Sequence, residues 1–597
     1  MTPYKWFYSH LKKHARYIIT GLTIIPIASA LAVINPKVSG SIVDLVMKQG
    51  NVSLLPKLIL LLVATTLIRS GIRFVMIMSM EKASQGTLYS LRDSVYKRLL
   101  LQDFNFYNKN RTGDLMSRQT GDMDAIRHFI AHVIYATMES VFVFCFALIM
   151  MFTVNVKMAF LMIMVLPFTA LTTYFQVKNI KPAFIKNRLM FSRLNSFAQE
   201  NISGNRVVKA FAKEDYEIEK FDKENDSFKE VQLEGAMIWA KYIPVFEFLS
   251  NVLTFILMLP GAIMVINEQM TLGNMVTMNG YLWMLTTPLR TAGWLINDIQ
   301  RFMTSLEKIF STISHEPDIK KPNNAIVKRH LRGSVRFEHV TYNADDEDIL
   351  NNVCFEIKPG QTVGIIGATG AGKSTLMNLL CRFYDASKGN VYVDDINVKE
   401  MDLYSLRQNI GMAMQDVFLF SDTIEGNIAY GRPDCSFEEV EWAAKVANAD
   451  SFIKAMPEGY DTIVGERGMG LSGGQKQRIS LARALLTDPA IIILDDTTSA
   501  VDMETETRIQ EELTRLQDKK TVFIIAHRIS SIKDADIILV LDNGRIVEQG
   551  THEELIRKRG YYDTVFRHQY GEFDRLKNSS EFKDYIKEQQ KEAFNYG

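Results

Sequence analysis

The segment "IIILDDTTSAVD", Ile491 to Asp502, puts two adjacent carboxylates at the end of an apolar run that reads as a buried strand. At a nucleotide, such a pair can divide the work: Asp495 facing a divalent cation, Asp496 facing an attacking water. Upstream, "GATGAGKS" meets the spacing G-x-x-x-x-G-K-[ST], with a strand-like run before it and a helix-like run after it. Gly367, Gly370 and Gly372 let the backbone from Gly367 through Thr369 and Ala371 to Thr375 wrap a phosphate at a helix N-terminus. Lys373 then brings a cation to the β- and γ-phosphates, and Ser374 offers a hydroxyl to Mg²⁺. A second glycine pair, Gly473 and Gly474 in "LSGGQ", reads as another anion site at a helix start, although by itself the motif also reads as a loop and C-terminal cap.

The elements that must hold these residues come in two kinds. A chain of 597 residues exceeds one core, and 47% hydrophobic residues beside 23% charged ones implies that the apolar material is concentrated somewhere. It lies in the first half. Uncharged or nearly uncharged runs cover Tyr17 to Pro36, Ser140 to Val156, Met158 to Val177, Phe248 to Ile266 and Gln269 to Leu289. Each approaches the roughly 20 residues a helix needs to cross a membrane. A sixth, Leu58 to Met80, carries Arg69 and Arg73 and escapes a simple hydropathy window, yet the apolar blocks around them support a span whose arginines face a bundle interior. The run after "KKHAR" imitates a signal peptide ending at "ASA" but continues to Pro36, as a retained span does. Lys12, Lys13 and Arg16 put the N-terminus in the cytoplasm, and six crossings return the second half there.

The stretches joining the second to the third span and the fourth to the fifth are long, charged and helix-favouring, so the membrane helices should continue into the cytoplasm. Past the last span the composition shifts toward Pro322, marking a boundary. The expected organisation is a transmembrane domain over 1–315, a linker over 316–333, an α/β nucleotide-binding domain over 334–570 and a charged tail over 571–597. A net charge of +0 and the lack of a basic cluster beside an aromatic platform argue against nucleic acid as a partner. Cys145, Cys354, Cys381 and Cys435 have no metal-ligand spacing and read as reduced fillers.

"GATGAGKS", "MAMQDVFLFSDTIEGNIAYG", "VGERG", "LSGGQ", "SAVD" and "IIAHR", in that order, resemble the nucleotide-binding domain of the ATP-binding cassette (ABC) family. "RTGDLMSRQTGDMDAIR" and "GNRVVKAFAKEDYE" are similar to the coupling segments of its six-span exporters. The resemblance implies a membrane α-helical bundle followed by an α/β P-loop NTPase cassette, with ATP and Mg²⁺ as ligands. It also implies roles: Asp495 and Ser374 toward Mg²⁺, Gln415 toward the metal and the membrane domain, and His527 as γ-phosphate sensor. Ser472, Gly473, Gly474 and Gln475 would close on the ATP of a facing subunit, with Asp502 beside them. Since one chain supplies one cassette, a second half-transporter is implied.

This sequence departs from the family pattern at two places. The family stacks adenine on a tyrosine soon after the first strand, and "HVTYNADDEDIL" is short of that spacing, with Tyr342 the nearest candidate. Family members that hydrolyse efficiently carry Glu where this chain has Asp496. A carboxylate retracted by one methylene is a poor base, so the expectation is a site that binds ATP and turns it over slowly. A heterodimer whose partner supplies Glu follows as an expectation. The expected activity is export of small amphipathic compounds across the cytoplasmic membrane. An ATP-gated channel or regulator, and a homodimeric lipid or peptide exporter, are the alternative readings. The apolar spans exclude a soluble ribosome-engaging cassette. Since no peptidase-like segment precedes the first span, a peptide-processing exporter is the less expected class.

Overall fold

The computed structural model describes residues 2–344, 347–497, 501–516 and 520–578, with the side chains of 503, 516 and 571–578 also outside the description. Ser499 and Ala500 of "SAVD" and most of the expected tail over 571–597 thus lie outside the described residues. The chain divides into two compact units, one of Met1–Gln102 with Asn110–Glu316, the other of Asp103–Lys109 with Pro317 onward.

The first unit is helical. Its long elements are α1 (Ala15–Ile42), α2 (Leu55–Leu100), α3 (Ile134–Val154), α4 (Leu166–Ser203), α5 (Glu214–Ile266) and α6 (Leu272–Ser314). At 53 residues, α5 extends for about 80 Å, well over twice the ~30 Å of a hydrocarbon core, so much of it stands outside the membrane. Val63, Leu67, Ile68 and Phe74 on α2 are exposed, as side chains solvated by lipid would be.

Among the described residues five helical stretches are long and apolar enough to cross a membrane, and Val52–Leu100 is one of them. The span with the two arginines therefore passes a hydropathy criterion after all, because its apolar blocks outweigh them. It is α6, expected from Gln269 to Leu289, that does not pass among the described residues. Its Thr277, Thr286 and Tyr281 are buried against neighbouring helices, so its polarity is shielded from lipid by protein. The Tyr281 hydroxyl donates to the Val33 carbonyl at 2.9 Å. Close approach of α1 and α6 requires glycine: a Cβ on Gly40 would sit 2.2 Å from the Gly273 carbonyl oxygen.

Asp103–Lys109 packs with the second unit instead of the helices on either side of it. Phe104 lies against Phe383 with ring centroids 4.6 Å apart, and the Asn108 side-chain amide donates to the Tyr384 hydroxyl at 3.0 Å. This short helix thus satisfies its aromatic face within the α/β unit, against Phe383 and Tyr384.

That unit contains two sheets. Strands β1 (Val335–Ala344), β2 (Glu347–Ile357), β4 (Lys388–Val393) and β5 (Ile396–Asn397) form an antiparallel sheet in the order β2-β1-β4-β5. The other runs β10-β9-β3-β8-β7-β6, from β3 (Thr362–Gly367), β6 (Ile410–Ala413), β7 (Ile491–Asp495), β8 (Thr521–Ile525), β9 (Ile537–Asp542) and β10 (Arg545–Gly550). Strands β9, β3, β8, β7 and β6 are mutually parallel. All five residues of β7 are buried, as a strand covered on both faces requires.

Candidate nucleotide site

Parallel strands deliver their C-terminal ends to one edge of a sheet, which is where α/β proteins bind ligands. Here the neighbours are β3, β8 and β7: Ile365 pairs with Ile525, and Ile525 with Asp495. The glycine loop leaves β3, His527 lies two residues past β8, and Asp495 and Asp496 end β7. Gln415 lies two residues beyond β6 and is exposed.

The loop has the shape of a phosphate cradle for steric reasons. Gly370 and Gly372 have φ of 85° and 94°, left-handed values that glycine adopts without strain. A Cβ on Gly367 would lie 2.1 Å from the Leu541 carbonyl oxygen, and one on Gly372 would meet Leu350 at 2.7 Å. Thr369 is exposed and Ala371 buried at the loop's turn. Helix α7 (Lys373–Leu380) begins directly after it, with Ser374 and Thr375 half-buried in its first turn.

The Lys373 ammonium folds back on its own loop, donating to the carbonyls of Gly367 and Ala368 at 2.9 Å each. Burial pushes its pKa down, opposed by Asp495 and Asp496. Burial in turn raises the Asp495 carboxyl, opposed by a hydrogen bond from Ser374 and by Lys373 and His527, while Asp496 raises it further. Lys373, Ser374, Asp495, Asp496 and His527, distant in sequence, thus form one electrostatic neighbourhood. A hydroxyl hydrogen-bonded to a buried carboxylate is an oxygen donor set of the kind Mg²⁺ takes, and the left-handed glycine loop fits a polyphosphate.

Asp496 is held on both sides. Its N–H donates to the Ile525 carbonyl at 3.0 Å, and its carbonyl accepts from Gln477 Nε2 at 3.3 Å. Its φ is 49°, a left-handed value that aspartate tolerates better than most residues. With the backbone fixed in this way, the reach of the carboxylate depends on side-chain length.

The "LSGGQ" residues start helix α8 (Gly473–Leu486) through a capping box. Ser472 Oγ accepts the Gln475 N–H at 3.3 Å, and Gln475 Oε1 accepts the Ser472 N–H at 2.8 Å. The motif is thus an N-terminal cap of its own helix and not a C-terminal cap, and Ser472 and Gly473 stay exposed. Asp502 is exposed, and accepting the Thr505 N–H at 3.0 Å holds its carboxyl below the usual range. Tyr342 is only 8% exposed within β1, its ring 5.4 Å from that of Tyr384.

Sequence reading missed Gln477 and Gln569. Gln477 occupies an inward position of α8 that reads as core, and the amide of Gln569 reaches the loop after β8 from far along the chain. No local spacing signals either contact.

The cysteines are free, with Cys381 buried and Cys354 exposed. Among the described residues no group of three or more His, Cys, Asp or Glu side chains is assembled as a metal site.

A phosphate cradle, a buried acidic strand end and a histidine beyond a neighbouring strand, following long membrane helices, define the class: a membrane region with an appended ATP-binding cassette. Family models agree, the ABC transporter transmembrane region matching residues 18–289 and the ABC transporter domain residues 350–499. The chain is 42% identical to the uncharacterized ABC transporter ATP-binding protein YknU of Bacillus subtilis (strain 168), over 81% of this chain and 83% of that one. It is 33% identical to the ATP-dependent lipid A-core flippase of Syntrophus aciditrophicus (strain SB), over 94% and 93%. A solved structure, a bacterial Atm1-family ABC exporter with ATP bound, superposes with a TM-score of 0.78 at 28% identity, covering 93% of this chain and 98% of that one. The chain belongs to the ABC transporter family, as one of its exporter half-transporters: a multi-pass membrane protein with its ATPase domain in the cytoplasm.

Proposed function

We propose that this chain is the slow-hydrolysing half of a heterodimeric ATP-driven exporter of small amphipathic compounds, with 1–315 crossing the membrane, 316–333 as linker and 334–570 as the cassette. Asp496 carries this reading. Its backbone is pinned by Ile525 and Gln477, so the reach of its carboxylate is set by side-chain length. A base displaced by about 1 Å loses on the order of a hundredfold in rate.

In this reading, the loop amides from Gly367 to Thr375 hold the β- and γ-phosphates, and Lys373 exchanges its carbonyl partners for phosphate oxygens. Ser374, Asp495 and Gln415 would hold Mg²⁺, which supplies charge neutralisation on the phosphates. His527 contacts the γ-phosphate. Asp496 orients the water. Ser472, Gly473, Gly474, Gln475 and Asp502 serve the nucleotide of the facing subunit, whose own base is Glu. The cargo class draws on relatives named as a lipid A-core flippase and as putative multidrug export proteins of Staphylococcus aureus, together with the methionine- and aromatic-rich membrane helices.

The test is affinity purification of the tagged chain from its native membrane. A distinct half-transporter should co-purify, and replacing that partner's Glu should abolish turnover while Asp496→Asn changes it little. Robust amphiphile-stimulated ATPase from this chain alone would refute the proposal.

A further inference from the structure

The loop that leaves β8 carries His527 beyond the last sheet pairing. The Ala526 N–H still donates to the Ile365 carbonyl at 3.2 Å, but among the described residues strand pairing of β8 ends at Ile525. His527 and Arg528 are exposed, so no apolar seat holds the imidazole. Its direction depends on how the backbone beneath it is fixed.

That backbone is bridged by one side chain of the C-terminal helix α9 (Tyr561–Asn578). Gln569 Nε2 donates to the His527 carbonyl at 2.8 Å, and its Oε1 accepts the Ile529 N–H at 2.9 Å. A carbonyl at one residue and an N–H two residues on are the pair a neighbouring strand would satisfy. The carboxamide, with a donor and an acceptor in one plane, stands in for that strand.

The helix is well seated for this purpose. Glu548 on β10 accepts the N–H groups of Tyr561 and Tyr562 at its start. Tyr562 is fully buried in a cluster with Ile366, Ala526 and Ile529, residues that end β3 and flank His527. His552 Nδ1 lies 2.8 Å from the Tyr562 hydroxyl. Gln569 therefore projects from an anchored support, and its two hydrogen bonds carry that rigidity to the loop.

We propose that Gln569 is a positioning residue for His527: the C-terminal helix, through this carboxamide, presents the imidazole toward the γ-phosphate and so sets the preference of this site for ATP over ADP. This rests on the reading of His527 as γ-phosphate sensor. The ADP-contacting groups on the glycine loop and α7 do not involve Gln569, so ADP affinity should be independent of it.

The experiment is competition of ATP and of ADP against labelled ATP on the purified full-length chain with Mg²⁺, for wild type, His527→Ala, Gln569→Ala, Gln569→Glu and the His527→Ala/Gln569→Ala pair, with melting temperature recorded for each. Gln569→Ala should lower the ATP-over-ADP ratio about three- to tenfold, the range set by one or two lost hydrogen bonds, with ADP affinity unchanged. Gln569→Glu keeps the acceptor for Ile529 but sets a carboxylate against the His527 carbonyl, so it should lose at least as much. The double variant should be no worse than His527→Ala, because both changes act through one imidazole. A Gln569→Ala protein with a lower melting temperature and an intact ratio, or with ATP and ADP weakened alike, overturns the proposal while a reduced ratio in His527→Ala leaves the sensor reading standing. An unchanged ratio in His527→Ala overturns the sensor reading, and the proposal with it.

Discussion

Asp496 and Lys373 show how much chemistry a single side chain can decide. Lys373 spends its ammonium on two loop carbonyls, a partnership that phosphate oxygens would replace at little cost in hydrogen bonds. Lys373→Ala should therefore remove most ATP labelling of this chain, and undiminished photo-crosslinking would show that the loop is not the cradle. Asp496→Glu should raise turnover at this site by about ten- to a hundredfold if reach is what limits it. Equal single-turnover rates for Asp496, Glu and Asn would place the water elsewhere. Burial lifts the Asp495 pKa above its unfolded value, so the folded chain retains a proton there that the unfolded chain has released. Stability contributed by this group falls as pH rises through that window. Asp495→Asn should accordingly raise the melting temperature of nucleotide-free protein at pH 7, with the gain shrinking toward acid pH. A gain that grows on acidification would contradict the sign.

Elements constrain what those residues can do. Helix α8 starts on a reciprocal cap made from the very residues expected to meet the facing nucleotide. Ser472→Ala should cost about 1 kcal/mol of domain stability through the lost cap alone, measurable by denaturant unfolding of the cassette in the full-length chain. On α2, Arg69 and Arg73 lie 3.8 and 3.6 Å from Glu139 on α3, so two cations share one anion within the bundle. An intramembrane charge kept without full neutralisation usually serves a ligand or an aqueous path. Leucine at both arginines should alter transport of acidic or zwitterionic compounds in vesicles more than it alters the amount of folded protein. Loss of insertion with cargo preference unchanged would make the pair structural.

The molecule as a whole brings one cassette, and half-transporters of this family act as dimers. Under the proposed function, a short base at Asp496 and an intact "LSGGQ" would belong to different sites in such a dimer, so two copies of this chain would pair two slow sites. The expected outcome is that vesicles containing only this chain hydrolyse ATP slowly, while co-expression with its partner restores cargo-stimulated turnover. Fast turnover without the partner would mean that Asp496 suffices as base.

Much of this was legible in the amino-acid order because it depends on local rules. The glycine loop announces itself through backbone freedom needed within a few residues, and β7 through an uninterrupted apolar run ending in two aspartates. The membrane helices follow from the cost of exposing backbone to lipid, which composition alone reports. Other features existed only once the chain was folded. Which neighbours bury the threonines of α6 was decided by packing, and the allegiance of Asp103–Lys109 by the aromatic face of Phe383 and Tyr384. The contact of the Tyr342 and Tyr384 rings, the pinned backbone of Asp496 and the bridge from Gln569 to His527 join segments tens of residues apart. Side-chain type and local spacing carry no information about such contacts, because distance in sequence does not set distance in a folded chain; the tertiary structure alone decided them.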